Sequence, residues 1–341
     1  MGNRWIEIRV VAALVAVLVC GTACAQKKPK NNLSGYDRSA RATVVHPAIV
    51  YAAAEDNAAH VTEVEPGHEV VVTEHNGAWV KVFANTDIPD EQAEDQKPEF
   101  SADEDVSPMS GWIKDKGLVT PTTVNGDAVL FGTAANYEKL AMEPHAPKDA
   151  AEEAHLLYRR VVEYYPNSPL AAEAMYRSAD VRWQIDKVDI RTLPSAHEQE
   201  AYLRPQLYEG ELQKVMKLYP NTKFAALAAY DLIDNKLCGD WQGASKCPLK
   251  EAEIYEKYMK DYPQSPATPE AIYQAAWRWS ALLEIYKTEG ESKKSEEAKT
   301  KATALATTVA AQFPQSDWGA RAQRLLYLMG QDIPTYGNAP D

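Results

Sequence analysis

The sequence predicts a small all-β barrel followed by an all-α array of helical hairpins. Residues 42–120 hold short runs of alternating β-branched residues that Pro-Gly and Asn-Gly pairs interrupt, which is typical of antiparallel strands. Residues 134–330 have a helical period instead, and one corner motif recurs four times among them. Residues 331–341 remain as a tail.

The N-terminus, "MGNRWIEIRVVAALVAVLVCGTACAQ", has two arginines, a ten-residue apolar run and then small residues. That run is too short to span a bilayer, and the layout predicts a signal peptide over residues 1–25. Ala23-Cys24-Ala25 fits cleavage before Gln26, whereas "GTAC" resembles the lipobox of bacterial lipoproteins, in which Cys24 is acylated. Both alternatives predict export.

Residues 26–41 are polar and predict a flexible tether. Export of this kind implies the periplasm. Contact with a membrane is expected only through a lipid anchor in the outer membrane, if Cys24 carries one.

Only two cysteines, Cys238 and Cys247, remain after export in both alternatives, and they enclose "CGDWQGASKC". In an oxidising compartment this pair predicts a disulfide, which stabilises a loop of this size by roughly 3 kcal/mol. A redox-active pair is disfavoured because the chain contains no C-x-x-C.

The strand region carries "PGHEVVV…NGAWVKV…GWIKDKGLV", which resembles a bacterial SH3 domain. The matching residues are Gly67, Gly77, Trp79, Val80, Val82, Gly111, Trp112 and Leu118. The resemblance implies a five-stranded barrel of an exported envelope protein, and in some members a module that binds cell-wall glycan. The ligand surface would then include Tyr51, Trp79 and Trp112.

An insertion over residues 86–108 departs from that family. Residues 86–105 contain nine acidic residues and one lysine, so we expect this segment to be disordered and self-repelling.

The corner motif reads aromatic, proline, amide, hydroxyl. Its copies are Tyr165, Pro166, Ser168; Tyr219, Pro220, Thr222; Tyr262, Pro263, Ser265; and Phe313, Pro314, Ser316, counting the aromatic, the proline and the hydroxyl. Large side chains five residues before each proline, most of them apolar, place the aromatic at the end of an amphipathic helix. The proline ends that helix, and the hydroxyl is expected to cap the next one.

An alanine follows each proline by eight residues, as in "YPNS…A…A.Y". This pattern resembles the degenerate tetratricopeptide repeats of exported Gram-negative proteins, of the outer-membrane assembly lipoprotein and Tol-Pal coordinator type. The resemblance implies a solenoid with a protein-binding face. The prolines are 54, 43 and 51 residues apart, against the usual repeat of about 34, and "HEQEAYLRPQLYEGELQ" is one of the longer segments.

Catalytic and metal motifs are absent from the sequence. We find no G-x-S-x-G, P-loop or G-x-G-x-x-G. His60, His68 and His75 have neither a helical i, i+4 spacing nor paired cysteines near them, which favours surface histidines over a zinc site. We therefore expect no cofactor, no metal and no enzymatic activity.

The formal net charge of −13 disfavours binding to nucleic acid. The leading hypothesis is a non-enzymatic scaffold or adaptor of the cell envelope, which binds a protein partner through the helical repeats. The alternative is a cell-wall glycan (peptidoglycan) binding protein that acts through the barrel. A wall hydrolase would require catalytic groups that no motif reveals.

Overall fold

The computed structural model describes residues 40–87 and 108–336, and seven β-strands lie in the first part of these ranges. They are β1 (Arg41–Val44), β2 (Ala48–Tyr51), β3 (His60–Val64), β4 (Glu69–Asn76), β5 (Trp79–Ala84), β6 (Met109–Lys114) and β7 (Leu118–Val119). Every pairing is antiparallel, and the order across the sheet is β3-β2-β6-β5-β4-β1-β7. The expected five strands were too few, because short segments such as the two-residue β7 also find a partner.

One face of the sheet forms an apolar core. On β5 the buried Val80, Val82 and Ala84 point into it, and Val50 and Ile113 pack beside them from β2 and β6. This alternation follows from the two-residue period of a strand. The prediction of a β part followed by a helical part is therefore confirmed.

Gly111 allows β2 and β6 to approach closely. A Cβ atom at this position would lie 2.7 Å from the carbonyl oxygen of Tyr51 and would also overlap the side chain of Val50. Any larger residue would therefore push the two strands apart.

Nine α-helices follow β7 within the described part of the chain. They are α1 (Gly126–Ala141), α2 (Ala150–Tyr164), α3 (Ala171–Arg191), α4 (Gly210–Leu218), α5 (Lys223–Asp231), α6 (Lys246–Asp261), α7 (Thr268–Thr288), α8 (Ser292–Gln312) and α9 (Asp317–Gly330). Each corner motif joins two of them, in the pairs α2–α3, α4–α5, α6–α7 and α8–α9.

The corners end each first helix in the same way. The aromatic residue follows the last helical residue, and its N–H donates to the carbonyl four residues earlier, as Tyr165 does to Val161 at 2.9 Å. The alanines eight residues after the prolines are fully buried, where small side chains let the helices approach: Ala174, Ala228, Ala271 and Ala322.

The start of each second helix divides the corners into two kinds. The side chains of Thr222 and Ser316 cap α5 and α9. Ser168 and Ser265 do not cap, because α3 and α7 begin three residues later, at Ala171 and Thr268. Here the hydroxyls instead accept a hydrogen bond from the backbone N–H two residues later.

Arg160 of α2 joins the helices to the sheet. Its side chain is 3% exposed. It donates to the carbonyl of Gly67 at 3.0 Å, to Asp87 at 2.5 Å and to Glu163 at 2.5 Å, and it lies 3.5 Å from Glu69. Such a buried guanidinium requires carboxylate partners, so the pairing ties α2 to both ends of the β4–β5 hairpin.

The carboxylates around Arg160 have further partners. Glu69 accepts hydrogen bonds from Arg41 at 2.6 Å and from the Tyr164 hydroxyl at 2.7 Å. Burial acts to raise the pKa of Asp87, but a hydrogen bond with His68 and the charge of Arg160 outweigh it, so this pKa is lowered. Asp87 belongs to the acidic insertion, whose residues 88–107 lie outside the described residues.

The predicted disulfide between Cys238 and Cys247 is confirmed, with their Cα atoms 6.0 Å apart. Trp241, inside the loop, stacks on Tyr336 with ring centroids 5.4 Å apart. The hydroxyl of Thr335 donates to Ser280 at 2.8 Å in a buried contact. Thr335 and Tyr336 of the tail therefore pack against α7 and the disulfide loop.

Candidate functional site

The first candidate surface is a groove between the end of α1, the start of α2 and the second half of α3. It has a volume of about 390 Å³. Its apolar lining consists of Ala141, Met142, Ala151, Val181, Ile185 and Val188, and its acidic lining of Glu138, Asp180 and Asp189. We call it the helical groove.

Two of the apolar residues are largely exposed, Met142 at 76% and Val188 at 62%. Val181, Ile185 and Val188 follow one another by four and three residues, so they form a stripe along α3. The core stripe of the same helix lies elsewhere and includes the buried Ala174 and Trp183. In the first stripe, Val181 and Ile185 are half-buried and only Val188 is exposed. Together with the exposed Met142, Val188 forms an apolar patch beside a groove, which is typical of a protein-binding surface.

The acidic residues make the groove electrostatically negative. Glu138 is paired with Arg177 at 2.8 Å and accepts a hydrogen bond from Tyr158 at 2.6 Å. Asp180 and Asp189 form no ion pair with any residue in the described ranges. Burial, aided by the charge of Glu138, raises the pKa of Asp180. A cation from a partner would stabilise this carboxylate.

The second candidate surface is the outer face of the sheet. Tyr51, Trp79 and Trp112, the expected ligand residues, lie on the face opposite the apolar core. Trp79 is only 9% exposed, so the half-buried Tyr51 and Trp112 are the rings that a ligand can reach. The rings of Tyr51 and Trp79 meet edge to face with centroids 5.3 Å apart, and Tyr51 lies directly opposite Trp112 across β2 and β6. We call this surface the aromatic sheet face.

Lysines accompany these rings. The ammonium of Lys114 lies 3.9 Å from the ring centroid of Trp79, and that of Lys81 lies 5.9 Å from Trp112. The neighbouring Phe83 is 41% exposed. Lys114 also forms an ion pair with Asp56, so Lys81 supplies the available positive charge. The surface therefore combines flat apolar contacts with one cation, which suits a ligand with apolar faces and an acidic group.

The three histidines of the sheet region lie at separate places. His60 packs on Tyr51, His68 hydrogen-bonds to Asp87 at 2.8 Å, and His75 lies 3.6 Å from Asp115. Within residues 40–87 and 108–336, no three His, Cys, Asp or Glu side chains are grouped so that they could hold a metal ion.

Of the described helices, none has both the length and the apolar character needed to cross a bilayer. The lipidation candidate Cys24, the signal segment and most of the tether lie outside the described residues.

The helical groove was not found from the sequence. Its signal was present as the second apolar stripe on α3, through Val181, Ile185 and Val188. That stripe is hard to separate from core packing, because the same helix also carries the buried Trp183.

No protein-family model matches the chain, and no curated protein matches it. Among solved structures, the chain is similar to one titled "DHF79 filament", with 14% identity and a TM-score of 0.21 over 58% of this chain and 95% of that one. At that TM-score the likeness establishes no shared fold.

Proposed function

We propose that this chain is a non-enzymatic scaffold of the bacterial cell envelope that binds a protein partner in the helical groove. In this proposal the sheet is an SH3-like barrel, and the hairpins are tetratricopeptide-like repeats. The observation that carries it is the pair of exposed apolar side chains, Met142 and Val188, at the groove, beside two carboxylates, those of Asp180 and Asp189, that no cation pairs within the described residues.

The chemistry of the groove defines the partner. Apolar side chains of the partner cover Met142 and Val188, and its Lys or Arg side chains lie near Asp180 and Asp189. Burial of the two exposed side chains supplies a hydrophobic driving force, while paired charges at the rim favour one orientation of the partner.

Export is the second part of the proposal. The apolar run after Arg9, the small residues before Gln26 and the disulfide between Cys238 and Cys247 support it. We place the mature chain in the periplasm. The signal segment ends in one of two ways: at Cys24, which then carries a lipid anchor to the outer membrane, or by cleavage before Gln26.

A site-specific photocrosslinker tests the groove in intact cells. We introduce it into the full-length chain at Val188 and, as a matched control, at Val124, a valine that is 83% exposed outside the groove. The proposal predicts a discrete adduct with one envelope protein from Val188 only. That partner should then be lost on affinity purification of Val188→Asp and retained by Val124→Asp.

Equal adducts from both positions, or retention of the partner by Val188→Asp, would overturn the groove as the binding site.

A second candidate function is binding of cell-wall glycan by the aromatic sheet face, which the shared surface of Tyr51, Trp79 and Trp112 favours. The full-length protein should then sediment with purified cell wall, and Trp112→Ala should reduce the bound fraction. Tyr327→Ala removes an aromatic that is 65% exposed on α9 and serves as the control. Absence of the wild-type protein from the pellet would reject this function.

A further inference from the structure

The long segment between α3 and α4 encloses a cavity of about 440 Å³ against the end of α3 and residues 234–239. This segment is part of the widest spacing between corner prolines, 54 residues. The cavity shares no lining residue with the helical groove, so it is a separate feature of the fold.

Hydrogen bonds fix the walls of this cavity. The side chain of Asn235 bonds to both the N–H and the carbonyl of Leu207, at 3.0 and 2.9 Å. On the other side, the N–H of Gly239 donates to the carbonyl of Gln199 at 3.3 Å. The connecting segment is therefore pinned at two points, which makes the cavity preorganised.

Positive charge dominates the lining. Three cations, Lys187, Arg191 and Arg204, face one carboxylate, Asp234. Lys187 pairs with Asp234 at 2.5 Å, and neither arginine forms an ion pair with a residue in the described ranges. Two positive charges thus remain uncompensated in a chain whose formal net charge is −13.

Arg204 is already held in place. One terminal nitrogen of its guanidinium donates to the carbonyl of Leu237. Its Nε is buried and has no hydrogen-bond partner among the described residues. A buried N–H without an acceptor is costly, and a guanidinium with free donors matches a carboxylate in geometry and charge.

Part of the remaining lining is apolar, beside the polar His197, Gln206 and Asn235. Ile190, Leu207 and Leu237 border the same cavity. A ligand that fills it therefore needs an apolar body as well as an acidic group, which a hydrated inorganic anion lacks.

We propose that this cavity binds a carboxylate carried on an apolar body, in which the carboxylate meets Arg204 and Arg191 and the apolar part meets Ile190 and Leu207. Peptides offer this chemistry in two forms, a C-terminal carboxylate on an apolar residue and an acidic side chain beside one. The site does not depend on the function proposed for the helical groove.

The test uses the full-length mature protein with arginine labelled at Nε with ¹⁵N, and Arg204→Gln identifies the Arg204 resonance by its loss. The probes are N-acetyl-leucine, its neutral amide, the capped dipeptide acetyl-Asp-Leu-amide, and inorganic phosphate. We expect N-acetyl-leucine or the dipeptide to shift the Arg204 resonance saturably, and the neutral amide to leave it unchanged. The responding acid identifies the form of the carboxylate.

Calorimetry of the responding acid then compares variants. Loss of a charge-assisted hydrogen bond should weaken binding about tenfold or more in Arg204→Gln. Arg324→Gln removes an exposed arginine on α9 and should bind as the wild type does. Arg204→Lys keeps the charge without the planar fork and should fall between them, which keeps the test valid if the glutamine variant folds poorly.

Three results would overturn the proposal. The neutral amide could bind as well as the acid, phosphate could bind while both acids do not, or Arg204→Gln could bind the acid with unchanged affinity. The second result would assign the cavity to phosphate instead.

Discussion

The ion cluster between sheet and helices predicts a large and specific effect of Arg160→Met. Methionine keeps the apolar stem but removes every charged contact of a side chain that is 3% exposed. Asp87 and Glu163, which lie at 2.5 Å from the guanidinium, would each lose their shortest ion pair. Arg41 would continue to pair with Glu69 at 2.6 Å, so the loss falls mainly on the first two carboxylates.

Removing one member of a fully buried ion pair costs about 3–5 kcal/mol. Asp87 and Glu163 are each 31% exposed, and they keep contacts with His68 and Arg159 at 2.8 Å. We therefore expect Arg160→Met to lower the free energy of unfolding by an amount at the lower end of that range, about 3 kcal/mol. Arg177→Met is the matched control, since Arg177 also bridges two carboxylates, Glu138 and Glu173, but its side chain is 36% exposed. An exposed pair is worth at most about 1 kcal/mol.

Urea unfolding followed by tryptophan fluorescence measures both variants, and hydrogen exchange reports on the sheet and the helices separately. Relative to the wild type, Arg160→Met should increase the exchange rate of the amides of β4 and β5 more than that of the amides of α6 and α7. Addition of Asp87→Asn should restore part of the stability, because it removes a carboxylate that has lost its shortest ion pair. Equal losses in Arg160→Met and Arg177→Met would refute the reasoning.

Three other changes test local features. Burial, with the charge of Asp180, raises the pKa of Asp231 to about 8, so the folded state keeps a proton that the unfolded state loses above its pKa of 3.8. Stability from this group is complete below pH 3.8 and is lost as the pH rises toward 8. Urea unfolding at several pH values measures this dependence, and Asp231→Asn should flatten the plot of unfolding free energy against pH. An unchanged slope would contradict the assignment. Replacing Cys238 and Cys247 with serine should lower the free energy of unfolding by roughly 3 kcal/mol, and reduction of the wild type should reproduce the loss. Thr222→Ala removes the cap of α5 and should cost about 1 kcal/mol in the same assay; no loss would mean that the cap is dispensable.

The sequence predicts features that depend on neighbours along the chain. Each corner depends on an aromatic, a proline and a hydroxyl within a few residues, such as Tyr219, Pro220 and Thr222. The disulfide likewise joins residues 9 apart in the chain. The division into strands and helices follows from periods that are visible in short windows.

Features that depend on distant residues were not predictable in this way. Arg160 and Asp87 are 73 residues apart, and nothing in either local pattern links them. Asp87 reads as one of many charges in an acidic segment, yet its carboxylate bonds to His68 and to the N–H of Glu69. The cavity near Arg204 was not predictable for the same reason, because its walls come from separate parts of the chain.

The contact through Arg160 also has a mechanical consequence. Covalently linked domains commonly pivot about their linker, but rotation of the sheet relative to α2 would here pull Arg160 away from Asp87 and the carbonyl of Gly67. We therefore expect the sheet and α2 to move together as one rigid unit. If the sheet binds to a fixed surface, its orientation also sets the orientation of the first helices. A torque applied to the sheet is then transmitted to those helices, and the reverse holds as well.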